Sequence, residues 1–340
     1  MPTRVPSLHP VRPLLKWAGG KRQLLGALSV HYPACFNRYI EPFFGSGAVF
    51  FDLHRRGLLT GRPALLADVN RDLIGCYKAL RDRPAEVIAE LSSLEREHRA
   101  DGDVCYYDVR DRRFNPGRSA VAGGPYPPGL AAMLIFLNRT GFNGLFRLNR
   151  EGRFNVPAGR YEEPRICDPA HLHAVAEVFR TAGVELALQP FDETLDAAGD
   201  GDFVYCDPPY APLSATASFA SYTAGGFTAF DQRRLQQAVV AACARGAQVV
   251  LSNSSAAEIV ALYSASEAAR AGLRLFRVPA RRAINSVASR RGRVDELIVT
   301  NVPSRGAAHG SEAPVPADAR PERQKLRMAK AGGRRRARTA

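Results

Sequence analysis

The residues best placed to do chemistry lie in Phe203-Val204-Tyr205-Cys206-Asp207-Pro208-Pro209-Tyr210. Apolar and aromatic side chains from Phe203 to Cys206 suit a pleated, buried strand. Pro208 stops that strand, because it has no N–H to donate to a ladder. Asp207 therefore falls at the carboxyl end of a strand, where open α/β sheets bind their ligands. Two successive prolines stiffen the turn and fix one carboxylate, the neighbouring carbonyls and one aromatic ring relative to each other. Such a turn can receive a planar group bearing an amine. Taken alone, it is equally compatible with an ordinary strand end.

A second set of residues can hold a nucleoside. Arg38-Tyr39-Ile40 reads as a short strand entering Glu41-Pro42-Phe43-Phe44-Gly45-Ser46-Gly47, with a helix expected from Ala48 to Arg56. Gly45 and Gly47 would let backbone N–H groups and a helix N-terminus approach a ligand. Ala48 and Val49 stand where a dinucleotide fingerprint would place its third glycine, which counts against NAD. Ala64 to Ala67 forms the next strand and ends in Asp68, 21 residues after Gly47. An acid at that place can accept both hydroxyl protons of a ribose. Asn70 can cap the following helix, Asp72 to Leu80. Upstream, Trp17, Gly19, Gly20 and Lys21 precede Leu24, Leu25 and Leu28 at helical spacing, and Lys21 could reach a carboxylate. The alternative there is a buried Trp beside a tight turn.

A third set interleaves Arg139, Arg147, Arg150, Arg153 and Arg160 with Phe142, Phe146 and Phe154, and with the amides Asn138, Asn143, Asn149 and Asn155. Arginine pairs bidentately with guanine, amides bind adenine or phosphate, and a ring can wedge between bases. The competing reading is a solvated loop whose phenylalanines belong to the core and whose amides serve the loop itself.

The elements that must position these residues alternate strand and helix at both ends of the chain, which predicts an α/β fold with a largely parallel sheet. Val184 to Leu188, with Phe191, returns to strand character. Gln248 to Asn253 is a further parallel-type strand, and Leu275–Pro279 with Leu297–Asn301 a closing pair. Leu235 to Arg245 is expected to be a helix. Between them, 71–167 shows no strand–helix alternation and reads as a mainly helical insertion. It contains an amphipathic helix from Pro84 to Arg99, a looser stretch from Ala100 to Gly129 and a buried helix from Leu130 to Leu137. The Ser/Thr/Ala/Gly-rich segment Ala211–Phe230 could be a mobile lid or a substrate-facing loop. Residues 303–340 read as a disordered tail.

The chain has 340 residues and a net charge of +14. The tail from Pro303 holds 10 of the 47 basic and 3 of the 33 acidic residues, leaving 37 and 30 in the body. Both parts are basic, which suits a polyanionic partner. No apolar run approaches the ~20 residues that span a bilayer, and Met1 to Pro13, with charges and prolines but no apolar stretch, is not expected to be a secretory signal. Six cysteines without a CxxC pair fit a reducing cytosol, with no zinc site expected.

In their order, Lys16-Trp17-Ala18-Gly19-Gly20-Lys21, Glu41-Pro42-Phe43-Phe44-Gly45-Ser46-Gly47, Ala67-Asp68-Val69-Asn70, Asn138 to Leu145 and Asp207-Pro208-Pro209-Tyr210 resemble the Dam family of DNA adenine-N6 methyltransferases over residues 14–302. The resemblance implies a Rossmann-like sheet that uses S-adenosylmethionine (SAM), with a target-recognition insertion. Residues 1–70 and 168–302 would be the catalytic part and 71–167 the insertion. It implies methylation of adenine N6 in duplex DNA, within GATC, after base flipping. Asp207, Pro208 and Tyr210 would be catalytic. Trp17, Lys21, Gly45, Gly47, Asp68 and Asp207 would contact SAM. Phe142, Asn143, Leu145, Arg147 and Pro157 would contact DNA. No metal is implied. A monomer in the cytoplasm, associated with the nucleoid through DNA, is expected. The family often carries Tyr where this chain has Phe142, and His-Asp where it has Ser254-Ser255. The rivals are a cytosine-N4 methyltransferase, an RNA or protein-amine methyltransferase, and an inactive DNA-binding relative.

Overall fold

The structure is a computed structural model. It describes residues 11–17, 19, 21–121, 123–211, 226–281 and 293–303, without the side chains of Arg22, Ala280, Arg281, Arg293 and Val294. Most of the segment expected as a lid, residues 282–292 and nearly all of the tail lie outside the described residues.

Seven strands form one sheet: β1 (Tyr39–Glu41), β2 (Ala64–Asp68), β3 (Val184–Leu188), β4 (Phe203–Cys206), β5 (Gln248–Ser254), β6 (Arg274–Arg281) and β7 (Arg293–Thr300). Their order is β3-β2-β1-β4-β5-β7-β6. The first five are parallel, and β7 runs antiparallel between β5 and β6. This is a Rossmann-like arrangement. The order reverses between β1 and β4, so the crevice at their carboxyl ends is the topological switch point where such sheets bind ligands.

Parallel strands are buried on both faces, and the strand period of two divides the core accordingly. Tyr39, Leu66, Phe203, Tyr205, Val250 and Ile298 enter one apolar cluster. Their neighbours Ile40, Leu65, Val204, Cys206, Leu251 and Val299 enter another on the opposite face.

Twelve α-helices lie among the described residues. Three of them are α1 (Leu25–Ser29), α2 (Ala48–Arg55) and α3 (Arg71–Asp82). Asn70 caps α3, accepting from the Leu73 N–H at 3.1 Å. The long segment between α3 and β3 carries α4 (Pro84–Asp101), α5 (Asp103–Asp108), α6 (Asn115–Ala120), α7 (Pro128–Thr140) and α8 (Pro169–Arg180). α3 packs on β2 and β3 as well as on α4 and α7. Leu91, Tyr106, Ile135 and Phe154 of this segment join the same cluster as Tyr39 and Phe203, so one core runs from sheet to helices.

Two local expectations are corrected. The stretch from Ala100 to Gly129, read as loose, is largely helical: α5 runs into a π-helical turn at Val109–Phe114 and on into α6. Phe191, read as strand, opens α9 (Phe191–Asp196) behind Pro190, whose fixed φ suits a helix start. The set is completed by α10 (Ala229–Ala244), α11 (Ala257–Tyr263) and α12 (Ser266–Arg270). α10 begins with a reciprocal capping box between Thr228 and Asp231.

Candidate active site and nucleic-acid interface

A cavity of about 500 Å³ opens at the carboxyl ends of β1, β2 and β4. Its lining brings together Trp17, Lys21, Gly45, Asp68, Asp207, Pro208 and Tyr210, which come from four distant parts of the sequence. Gly45 and Gly47 have φ of +48° and +68°. A Cβ on Gly47 would lie 2.4 Å from the Phe44 ring, so only glycine fits there. Asp68 is held by backbone: Gly45 N–H donates to Oδ2 at 3.0 Å and Asn70 N–H to Oδ1 at 2.8 Å. Burial raises its pKa, and these N–H donors oppose the rise.

The Asp207 turn is fixed by what surrounds it. The register Cys206↔Leu251 continues so that Asp207 stands beside Ser252. Ser252 Oγ donates to Asp207 Oδ1 at 3.0 Å, and Lys21 Nζ pairs with the same oxygen at 2.8 Å. Lys21 also donates to the Gly19 carbonyl at 2.6 Å and lies 4.5 Å from the centre of the Tyr210 ring. Burial raises the Asp207 pKa, with Lys21 and Ser252 pulling it back and Glu296 adding to the rise. The Tyr210 hydroxyl donates to Glu296 Oε2 on β7 at 2.6 Å. Asn253 donates to Gln232 at 3.0 Å, and Gln232 donates to the Pro209 carbonyl at 3.0 Å. Ser254 Oγ donates to the Ala211 carbonyl at 2.7 Å. In the cavity wall, Glu41 is only 2% exposed and accepts from Tyr39 at 2.7 Å. Burial pushes its pKa well up.

The interleaved Arg/Phe stretch is a small hairpin with bridges Gly141↔Ala158 and Leu148↔Phe154. Phe142 is 47% exposed and its N–H donates to the Pro157 carbonyl at 2.9 Å. Asn143, next to it, is exposed with φ +55°, and Leu145 is half-buried. Arg147 and Pro157 are exposed. Arg147 Nε donates to Asn155 Oδ1 at 2.7 Å, which holds the guanidinium across the hairpin. Phe146 and Phe154 are core. The other amides serve the loop: Asn138 is buried, and Asn149 accepts from the N–H groups of Glu151 and Arg153. Arg139 donates to the Leu14 carbonyl at 2.8 Å.

Hairpin and cavity are joined through the segment before α1. Asn138 accepts from Lys16 N–H at 2.8 Å and donates to the carbonyls of Lys16 and Gly144. Trp17 lines the cavity and stacks on Phe146 with ring centres 5.4 Å apart.

Residues 17–278 match the D12 class N6 adenine-specific DNA methyltransferases. The chain belongs to this family. It is 36% identical over 295 residues to a type II methyltransferase of Lactococcus lactis subsp. cremoris, covering 86% of this chain and 95% of that one. A type II methyltransferase of Methanocaldococcus jannaschii is 37% identical over 303 residues, or 86% and 99% of the two chains. The DNA adenine methylase of Escherichia coli is 36% identical over 296 residues, or 86% and 96%.

A methyltransferase of this family uses SAM as methyl donor, and the cavity fits it. The volume is that of a small-molecule site, Gly45 brings backbone to the cavity wall, and carboxylates stand at two strand ends. Among the described residues no group of three or more His, Cys, Asp or Glu side chains could hold a metal ion. No helix among them is long and apolar enough to cross a membrane. Sequence reasoning passed over the roles of Ser252, Gln232, Glu296 and Glu41 around the methyltransferase turn. The signal for Ser252 was available, because β5 ends in polar residues and neighbours β4 in a sheet of this class.

Proposed function

We propose that this methyltransferase transfers a methyl group to N6 of adenine within GATC in duplex DNA, acting as a monomer on a base flipped out of the helix. The observation that carries the reading is the Asp207–Tyr210 turn, which shares one cavity with Trp17, Lys21, Gly45 and Asp68. Adenine N6 is a weak nucleophile because its lone pair is delocalised into the ring. Asp207 accepts one N6–H and the Pro208 carbonyl accepts the other, which frees that lone pair. Tyr210 stacks on the base and holds it in line. Bound SAM would supply an electrophilic methyl on its sulfonium. The N6 lone pair forms the new N–C bond as the C–S pair goes to the departing sulfur. The N6 proton hydrogen-bonded to Asp207 is then released through that contact to solvent. Trp17, Lys21, Gly45, Gly47, Asp68 and Asp207 hold the donor, with Asp68 toward the ribose and Lys21 toward the carboxylate.

The base cannot reach a cavity at the carboxyl ends of the central strands while stacked in a duplex, so it must flip. Exposed Phe142 is the wedge and exposed Arg147 reads a guanine edge. Asn143, Leu145 and Pro157 contact DNA beside them. In this reading 71–167 is the target-recognition part, and 1–70 with 168–302 the catalytic part. The test is single-turnover transfer from labelled SAM to a GATC duplex by Asp207→Ala. The rate should fall by on the order of 10²–10³-fold or more, while circular dichroism shows the folded chain at the assay temperature. A variant that keeps the wild-type rate would remove Asp207 from the reaction.

A further inference from the structure

Asp207 has two carboxylate oxygens, and the structure treats them unequally. Oδ1 receives both Lys21 Nζ and Ser252 Oγ. Among the described residues, no donor reaches Oδ2. Ser252 is fully buried and its hydroxyl also meets the Tyr205 hydroxyl at 3.0 Å. A carboxylate only accepts, so in the bond to Asp207 Ser252 is the donor and the Tyr205 O–H donates to Ser252, while the Tyr210 hydroxyl, whose own proton goes to Glu296, is a further neighbour of Ser252. The result is a chain, Tyr205 to Ser252 to Asp207, built from three side chains on two adjacent strands and the turn. Its neighbours on β5 act on the same turn, since Asn253 through Gln232 holds the Pro209 carbonyl and Ser254 holds the Ala211 carbonyl.

We infer that Ser252 is a positioning residue for methyl transfer: it fixes the rotation of the Asp207 carboxylate so that Oδ1 stays on the protein side and Oδ2 is the oxygen offered to the N6–H of adenine. The inference rests on the proposed adenine-N6 reaction. A carboxylate free to rotate would share its oxygens between Lys21, water and substrate, and a small misplacement of the acceptor costs alignment in the transition state. Lys21 alone does not suffice, because its flexible stem also bonds the Gly19 carbonyl. Ser252 sits on a rigid strand, and Tyr205 sets the direction of its hydroxyl.

The experiment uses the full chain with labelled SAM and an adenine-containing duplex, comparing wild type, Ser252→Ala and Tyr205→Phe. Ser252→Ala should lower the single-turnover rate by about 10- to 100-fold, with the SAM dissociation constant and the KM for DNA unchanged within about two-fold. Loss of the Ser252 donor also removes one contact that favours the ionised carboxylate. The acid limb of the rate profile should therefore move to higher pH. Tyr205→Phe keeps the ring and should shift both readouts the same way by less. Wild-type rate and pH profile in Ser252→Ala, while wild-type enzyme makes N6-methyladenine, would overturn this inference alone. A slower rate with an unmoved acid limb and a lowered melting temperature would mark Ser252 as merely structural and overturn it too. Wild-type enzyme that makes no N6-methyladenine would overturn the reaction on which it rests.

Discussion

Single residues in this site are tuned by burial. Glu41 is the clearest case, since it lies in the cavity wall with the Tyr39 hydroxyl as its donor and Asp207 and Asp68 nearby. Removal from water disfavours its charged form, so the folded chain keeps the Glu41 proton to higher pH than the unfolded chain does. Between those two values the folded state binds more protons, and stability falls as pH rises. The contribution is complete below the ordinary carboxylate range and is lost as pH climbs through the raised folded value. Glu41→Gln keeps the shape without the ionisation. Urea unfolding of this variant at mildly acidic and mildly alkaline pH should show a shallower loss of stability than the wild type. An unchanged slope would mean that Glu41 ionises normally. At the same scale, the Asp207 turn was legible because a strand, an acid and two prolines constrain one another locally. Its partners Gln232 and Glu296 were not, because they lie 23 and 86 residues downstream of the groups they bond and only the fold makes them neighbours, whereas the polar end of β5 did mark Ser252.

Among elements, the junction between the hairpin and the cavity depends on Asn138. Its side chain is buried at the end of α7 and bonds the backbone on both sides of Lys16 and at Gly144. Asn138→Ala leaves those buried backbone groups without partners, at a cost of about 2–3 kcal/mol. Thermal unfolding should show a corresponding drop in melting temperature, and a variant as stable as the wild type would show that the three bonds contribute nothing net. The strands and six of the twelve helices among the described residues, α1 to α4, α7 and α10, could be read from sequence because their apolar spacing is regular, whereas α8, α11 and α12 were not expected. β3 and β4 match the expected bounds, and α3, α4 and α7 extend only slightly beyond theirs. The stretch from α5 to α6 could not be read in this way. Its buried side chains Cys105, Tyr106, Val109 and Phe114 end on a step of five where the π-helical turn intervenes, which breaks the 3.6-residue pattern. α9 was hidden for another reason: six residues beginning with Phe191 are too few for a period to show.

At the scale of the whole molecule, the sheet supplies a switch-point cavity and the chain between β2 and β3 supplies an exposed, Arg-bearing hairpin tied to that cavity. The basic balance of the body adds attraction for phosphates without choosing a sequence. In the proposed function, sequence choice belongs to the hairpin and chemistry to the Asp207 turn. The whole chain should therefore place the methyl group on one atom of one base in one context. The most direct measurement incubates it with tritiated SAM and duplexes that differ only in the presence of GATC, then digests the DNA and separates the nucleosides. Label confined to N6-methyladenine and dependent on GATC is the predicted result. Label in N4-methylcytosine would contradict the adenine reaction, and equal label without GATC would contradict the assigned site.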